Sequence, residues 1–230
     1  MPAPTEEKRQ ELNDLRRSLR RGDNATQAQL DTLGAQWTPY REHLQPGEKD
    51  ELLRLVDPAG HLTQLSAPRW LCHLLGLRHC CAHVLLCWQS AGLGRVFVLQ
   101  VRSWTKSSYA GHLDISVGGH VSGDFAPEQT AYQEMAQELG LERADLQDGT
   151  LVFKKGYESF DQPPEGYTCN VEWRAVYTGA ITTAELEKIR FADQEVVGLY
   201  LCPEAEAGNL LQQKQLPIAS GLEFSLPHCL

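Results

Sequence analysis

The chain has 230 residues, a hydrophobic fraction of 42% and a formal net charge of −9. That much apolar content supplies a real core and excludes wholesale disorder. The acidic balance excludes general binding to nucleic-acid backbones, which calls for a basic surface.

The first twenty residues are strongly charged and lack the apolar run of a secretory signal. Leu12, Leu15 and Leu19 fall on one helical stripe, and acidic residues give way to arginines along it, as the helix dipole favours. The basic cluster Arg16, Arg17, Arg20 and Arg21 reads as a solvated helix face, with a docking helix for a second subunit as the sharper alternative. Gly22-Asp23-Asn24 ends this helix. A second amphipathic segment runs from about Thr26 to Leu44, and Pro46-Gly47 punctuates the chain.

From Glu51 the texture changes. ELLRLVDPAGHLTQL reads as strand, turn and strand. CCAHVLLCW and RVFVLQVRS are apolar runs bridged by residues 90–94, a strand pair, and LDISV is a short strand. A helix follows, with Pro127 in its first turn, Gly140 just past its end, and Ala131, Met135 and Leu139 as its buried stripe. TLVFKKGYES and CNVEWRAVYTGAI are further strands. TTAELEKI is a helix opening on a Thr cap, and EVVGLYLC a last strand before Pro203. The remainder is expected to give one short helix and an irregular tail. Strands alternating with well-placed helices predict an α/β layered domain with a mixed sheet. The expected division is a helical extension (1–50), a catalytic domain (51–203) and a C-terminal helix and tail (204–230).

Seven cysteines at irregular spacing, with no leader, read as reduced thiols of a cytoplasmic protein. No apolar run is long enough to span a membrane. The cluster Cys72, His73, His79, Cys80, Cys81, His83 and Cys87 has the density of a zinc site but lacks C-x2-C pairs, so it reads as an apolar strand with buried thiols.

The chemistry concentrates in GGHVSGDFAPEQTAYQEMAQELGL, Gly118 to Leu141. Glu134 and Glu138 lie one helical turn apart, where like charges repel by a few tenths of a kcal/mol. A divalent cation turns that repulsion into a site, because hard cations such as Mg²⁺ take carboxylate and phosphate oxygens together. The glycine-rich turn sets backbone N–H groups beside those carboxylates.

Gly119 through Leu141 resembles the Nudix box, G-x5-E-x7-R-E-U-x-E-E-x-G-U with U aliphatic, and fits it without a gap. Glu134, Met135, Glu138 and Gly140-Leu141 match. Gln133 replaces the Arg, Gln137 replaces the first Glu of the pair, and the early Glu position falls on Phe125 beside Asp124. The wider context resembles the isopentenyl diphosphate isomerase branch: an LVD-x-x-G-x-L opening, a PRW…H segment, R-S-x-x-K at Arg102 to Lys106, and GHLDISVGGH.

The resemblance implies a Nudix α/β/α sandwich and Mg²⁺- or Mn²⁺-assisted attack on a diphosphate linkage of a nucleoside diphosphate derivative. It implies metal ligation by Glu134, Glu138, the Gln137 carbonyl and Gly119. A base is expected outside the box, at Glu195 or Glu172, and substrate contacts at Arg102, Lys106 and His120. The rival isomerase reading implies a catalytic cysteine where Gly118 stands, although His79 and His120 sit where that branch keeps metal-binding histidines. A third reading is a non-catalytic binding module, for which Gln133 and Gln137 speak. The N-terminal helices could dock a second subunit to form a homodimer.

Overall fold

A computed structural model describes residues 4–20, 25–45, 50–106, 108–162, 167–191, 194–213 and 215–230. The expected breaks at Gly22-Asp23-Asn24 and Pro46-Gly47 lie outside them. In chain order the first elements are helices α1 (Glu6–Arg20), α2 (Gln27–Trp37) and α3 (Arg41–Leu44), strands β1 (Leu52–Val56) and β2 (Leu62–Pro68), and helix α4 (Arg69–Leu75). Strands β3 (His79–Ser90), β4 (Gly94–Arg102), β5 (Leu113–Asp114) and β6 (Val117–His120) lead to helix α5 (Pro127–Leu139). Then come β7 (Val152–Asp161), β8 (Asn170–Ile181), α6 (Thr183–Lys188), β9 (Val196–Pro203), α7 (Glu204–Gln213) and α8 (Ser220–Ser225). Contacts group these into two compact units. One comprises Met1–Cys81, His120–Phe125 and Gly156–Arg174, and the other Ala82–Gly119, Ala126–Lys155 and Ala175–Leu230.

In the first unit the helical segment packs on the chain's own α4. Leu12, Leu30 and Trp37 are buried with Leu71, Leu74 and Leu75. Arg16 is not the solvated residue its neighbours suggested: it is buried, and its Nε donates to the Leu74 carbonyl at 2.7 Å. The expected second helix breaks into α2, a 3-10 turn over Thr38–Tyr40 and α3, because Pro39 brings no backbone N–H. β1 and β2 form the expected antiparallel hairpin, with Leu53 opposite Ala67 and Arg54 opposite Ser66. Its turn is held by the Asp57 carboxylate, which accepts from the backbone N–H groups of Ala59 and His61. β3 joins at Leu55↔His79, and Val121 N–H donates to the Cys80 carbonyl.

In the second unit β3 and β4 pair antiparallel from Leu86↔Val98 to Ser90↔Gly94. β4 also carries β5 (Gln100↔Asp114) and β9 (Val98↔Leu201). These strand pairs are antiparallel, and a parallel bridge links Leu113 to Ile218. The expected single strand LDISV is divided at Ile115-Ser116. There the Ser116 hydroxyl takes over ladder bonding: it accepts from Leu86 N–H at 2.7 Å and donates to the Val98 carbonyl. α5 packs Ala131, Met135 and Leu139 into a core with Val84, Leu86, Val98 and Tyr177. Gly140 ends the helix at φ 66°. The tail holds a second helix, α8, whose Leu222 is fully buried. Among the described residues no helix is long and apolar enough to cross a membrane.

Candidate functional site

In the second unit, α5 and the Gly118-Gly119 turn enclose the two glutamates. Glu138 is 3% exposed. Its Oε2 accepts from the Gly118 backbone N–H at 3.2 Å and from the Gln100 amide on β4 at 3.5 Å. Glu134 is half-buried and lies under the next residue of the turn: a Cβ added at Gly119 would stand 2.2 Å from its carboxyl carbon and Oε1. A side chain cannot occupy that space, so glycine here serves close approach. One backbone turn therefore touches both carboxylates. Two carboxylates on one helix, backed by a backbone donor, form a hard-oxygen set suited to Mg²⁺ or Mn²⁺. Gln133 and Gln137 are both exposed, a step of about 100° round the helix from their glutamates.

The other expected residues of this unit are engaged with one another. Arg102 binds Asp114 at 3.0 Å and the Ser108 carbonyl at 3.2 Å. Lys106 forms an ion pair with Glu195, whose carbonyl also accepts from Ser103 N–H at 2.8 Å. The proposed phosphate-binding cation and the proposed base thus stabilise each other.

The first unit holds a different arrangement. Three imidazoles form a triangle, with centroids 5.4 Å apart for His73–His79, 5.8 Å for His73–His120 and 5.2 Å for His79–His120. His120 Nε2 lies 3.7 Å from Glu172 Oε1. Donor atoms of His79, Cys81, His120 and Glu172 all fall within 4.8 Å of one another. The Nε2 atoms of His79 and His120 are buried with no hydrogen-bond partner. Buried imidazole nitrogens without partners are costly unless something binds them, and this N/O/S donor set suits a borderline transition ion such as Zn²⁺. Burial pushes His79 well below the usual imidazole range, and the nearby His120 and His73 add to it. Burial likewise lowers His120. Glu172 feels burial in the opposite sense, but the Arg174 guanidinium, 2.7 Å away, and His120 hold its carboxyl well below the carboxylate range. Burial raises the Cys81 thiol well above its ordinary value.

Glu172, read from sequence as a base, and His120, read as a substrate contact, are therefore brought together with His79 and Cys81. In sequence the absence of C-x2-C pairs speaks against a cysteine-rich zinc cluster, and the isomerase-branch resemblance alone points to His79 and His120 as metal ligands. The usable signal was strand alternation: His79 and Cys81, at i and i+2 on β3, share a face. Asp124, considered for the early acidic role, is fully exposed and 3.6 Å from Arg54. All seven cysteines are buried and unbridged.

No family model matches the chain. Nudix hydrolase 3 of Arabidopsis thaliana is 29% identical over 167 residues, which is 72% of this chain and 21% of that protein. The chain thus spans about a fifth of this curated relative's length. DR0079 of Deinococcus radiodurans superposes with a TM-score of 0.56 at 18% identity, over 78% of this chain and 99% of that one. A mutT/nudix family protein from Listeria innocua is similar at a TM-score of 0.47 and 20% identity, over 65% of this chain and 90% of that one.

The chain has a mixed α/β fold, an antiparallel sheet with helices, similar to that of DR0079. Helix α5 and the glycine turn against its glutamates lie where the resemblance to the Nudix box leads one to expect them. The similarity to DR0079, at 18% identity, is one of fold alone.

Proposed function

We propose that this Nudix-fold chain is a Mg²⁺- or Mn²⁺-dependent pyrophosphohydrolase that cleaves the diphosphate linkage of a nucleoside diphosphate derivative in the cytoplasm. The observation that carries the reading is the Gly118-Gly119 turn, which donates to Glu138 and leaves room only for Glu134. A divalent ion held there would neutralise phosphate oxygens and lower the pKa of a water. Glu134 and Glu138 supply the charged ligands, and Gln137 contributes at most a neutral carbonyl. Glu195 is the proposed base. Its ion pair with Lys106 holds the carboxylate in place, and a substrate phosphate competing for Lys106 would loosen that pairing beside the attacking water. Arg102, anchored on Asp114, presents its remaining N–H groups to phosphate oxygens. His79, His120 and Glu172 hold a second, softer cation. The apolar stripe of α1 packs within the chain, so a homodimer would form through another face.

A non-catalytic nucleotide-binding module is the second reading, favoured by Gln133 and Gln137 at box positions that elsewhere carry charge. One screen separates the two. Purified protein with Mg²⁺ or Mn²⁺ is offered nucleotide sugars, dinucleotides, nucleoside triphosphates and prenyl diphosphates. Metal-dependent hydrolysis of a nucleoside diphosphate derivative that Glu138→Gln abolishes supports the enzyme. Binding without turnover supports the module, and allylic product from a prenyl diphosphate overturns both.

A further inference from the structure

Trp104 is 74% exposed, the highest value among the buried-or-exposed large hydrophobic side chains of the described residues. Leaving an indole in water forgoes a large apolar burial. The ring is nevertheless held in place. Gly111, at φ 70°, lies directly against it: an added Cβ there would stand 2.2 Å from Trp104 Cζ3 and 2.4 Å from Cη2. Gly111 N–H donates to the Arg102 carbonyl at 3.1 Å, which ties the supporting glycine to the strand end. Trp104 itself sits on a turn fixed on both sides. Ser103 N–H donates to the Glu195 carbonyl, Lys106 N–H donates to the Ser103 carbonyl at 3.2 Å, and the Ser103 and Thr105 hydroxyls bond each other at 2.9 Å. The indole therefore has one region seated on backbone and the rest open, on a turn with little freedom.

Two cations flank this ring in sequence, Arg102 and Lys106, each half-covered and positioned by an acid. The turn is also close to the proposed metal site. Gln100, whose amide reaches Glu138, is four residues before Trp104, so their α-carbons are within about 14 Å at full extension. That upper bound keeps Trp104 within reach of an extended nucleotide whose diphosphate lies at the proposed metal site.

We infer that Trp104 is a stacking platform for the base of a nucleoside diphosphate substrate, seated on Gly111, with Arg102 and Lys106 serving the phosphates. This inference rests on the nucleotide reading of the proposed function and assigns a residue to base recognition. Stacking tolerates any base, because every base offers a π-face. The platform therefore sets preference for nucleotide over non-nucleotide diphosphates, and discriminates weakly among bases.

The test uses full-length protein and two non-hydrolysable probes in the presence of Mg²⁺: α,β-methylene-ADP, which has a base, and methylenediphosphonate, which lacks one. Affinities are measured by calorimetry for the parent, Trp104→Ala and Trp104→Phe. Because the indole is exposed, both variants are expected to fold, and unchanged thermal unfolding checks this. The expected result is a loss of about tenfold or more for α,β-methylene-ADP in Trp104→Ala, most of it recovered in Trp104→Phe, with methylenediphosphonate unchanged. Equal affinity of parent and Trp104→Ala for α,β-methylene-ADP overturns the platform alone. An equal loss for both probes also overturns it, since the residue would then act on the phosphate site. If the parent binds methylenediphosphonate but gains nothing from the base, the nucleotide reading falls and the platform with it.

Discussion

Replacing Gly119 with alanine tests the box geometry more sharply than removing a glutamate does. The new methyl carbon would lie 2.2 Å from the Glu134 carboxyl carbon and Oε1 and 2.4 Å from its Cγ, whereas real Cβ atoms essentially never approach below 3.0 Å. The obstructing atoms are the far end of a flexible side chain, so Glu134 gives way by about 1 Å while the backbone stays. Pushing a side chain off its rotamer costs about 0.5–1.5 kcal/mol. Glycine-to-alanine exchange at an ordinary φ returns about 0.4–1 kcal/mol by restricting the unfolded chain. Net stability therefore changes by about 1 kcal/mol or less, a Tm shift of about 2–4 °C at most. A metal ligand displaced by 1 Å costs far more in chemistry, on the order of 10²-fold. Gly118→Ala is the internal control. Its Cβ meets Ile115 Cδ1 at 3.1 Å and His83 Cδ2 at 3.5 Å, touches no carboxylate, and keeps the N–H that serves Glu138. The assays are Mn²⁺ affinity by electron paramagnetic resonance, metal-dependent phosphate release, and thermal unfolding. Gly119→Ala with hydrolysis within threefold of the parent would refute the argument. So would a loss of several kcal/mol of stability, because the glycine would then be structural.

Three further outcomes are expected. Arg174→Met leaves the buried Glu172 carboxylate without the guanidinium that holds it, and should cost about 3–5 kcal/mol in denaturant unfolding, part of which Glu172→Gln in the same chain recovers; a cost below 1 kcal/mol would show the pair to be incidental. In chelator-stripped protein, burial lowers His79 and His120, so below about pH 6.5 the unfolded chain binds protons that the folded chain refuses. Stability is then full above that pH and falls by up to about 1.4 kcal/mol per pH unit for each histidine as pH drops; unfolding midpoints that stay flat from pH 7.5 to 5.5 would contradict this. Adding Zn²⁺ to the same stripped protein should raise its stability, by about 2.7 kcal/mol at a free concentration 100 times Kd. His79→Gln should remove that gain, and a gain that survives the substitution places the ion elsewhere.

What the sequence revealed and what it concealed separate along the range of the interactions involved. α5 was legible in detail because its signals are local: Pro127 at the start, Gly140 at the end, and Ala131, Met135 and Leu139 in between. The β1–β2 hairpin was legible for the same reason, through its Pro58-Ala59-Gly60 turn, while the Asp57 carboxylate that holds the turn emerged only in the structure. α4 was not identified, since RWLCHLL is buried all round and has no polar face to give it a period. The break in LDISV depends on a Ser116 hydroxyl bonding Leu86 and Val98, partners remote in sequence.

The same division explains the candidate sites. Glu134 and Glu138 were visible because one helix carries both, and the reason for two glycines beside them emerged only once the turn lay against their carboxylates. The His79, Cys81, His120 and Glu172 group is assembled from three separate stretches of chain; its two histidines were legible through the resemblance to the isomerase branch, while Cys81 and Glu172 join them only in the fold. Its chemistry also explains why Glu172 is ill suited to the role first considered. A base must give up its negative charge to a proton within the working pH range, and Arg174 and His120 hold this carboxylate ionised well below it. Glu195 has an ion-pair partner of a different kind, a half-exposed lysine that a phosphate can draw away. We therefore place the proposed base at Glu195: its counter-charge is the one a substrate phosphate could compete for, and that distinction lies in the partner, not in the glutamate.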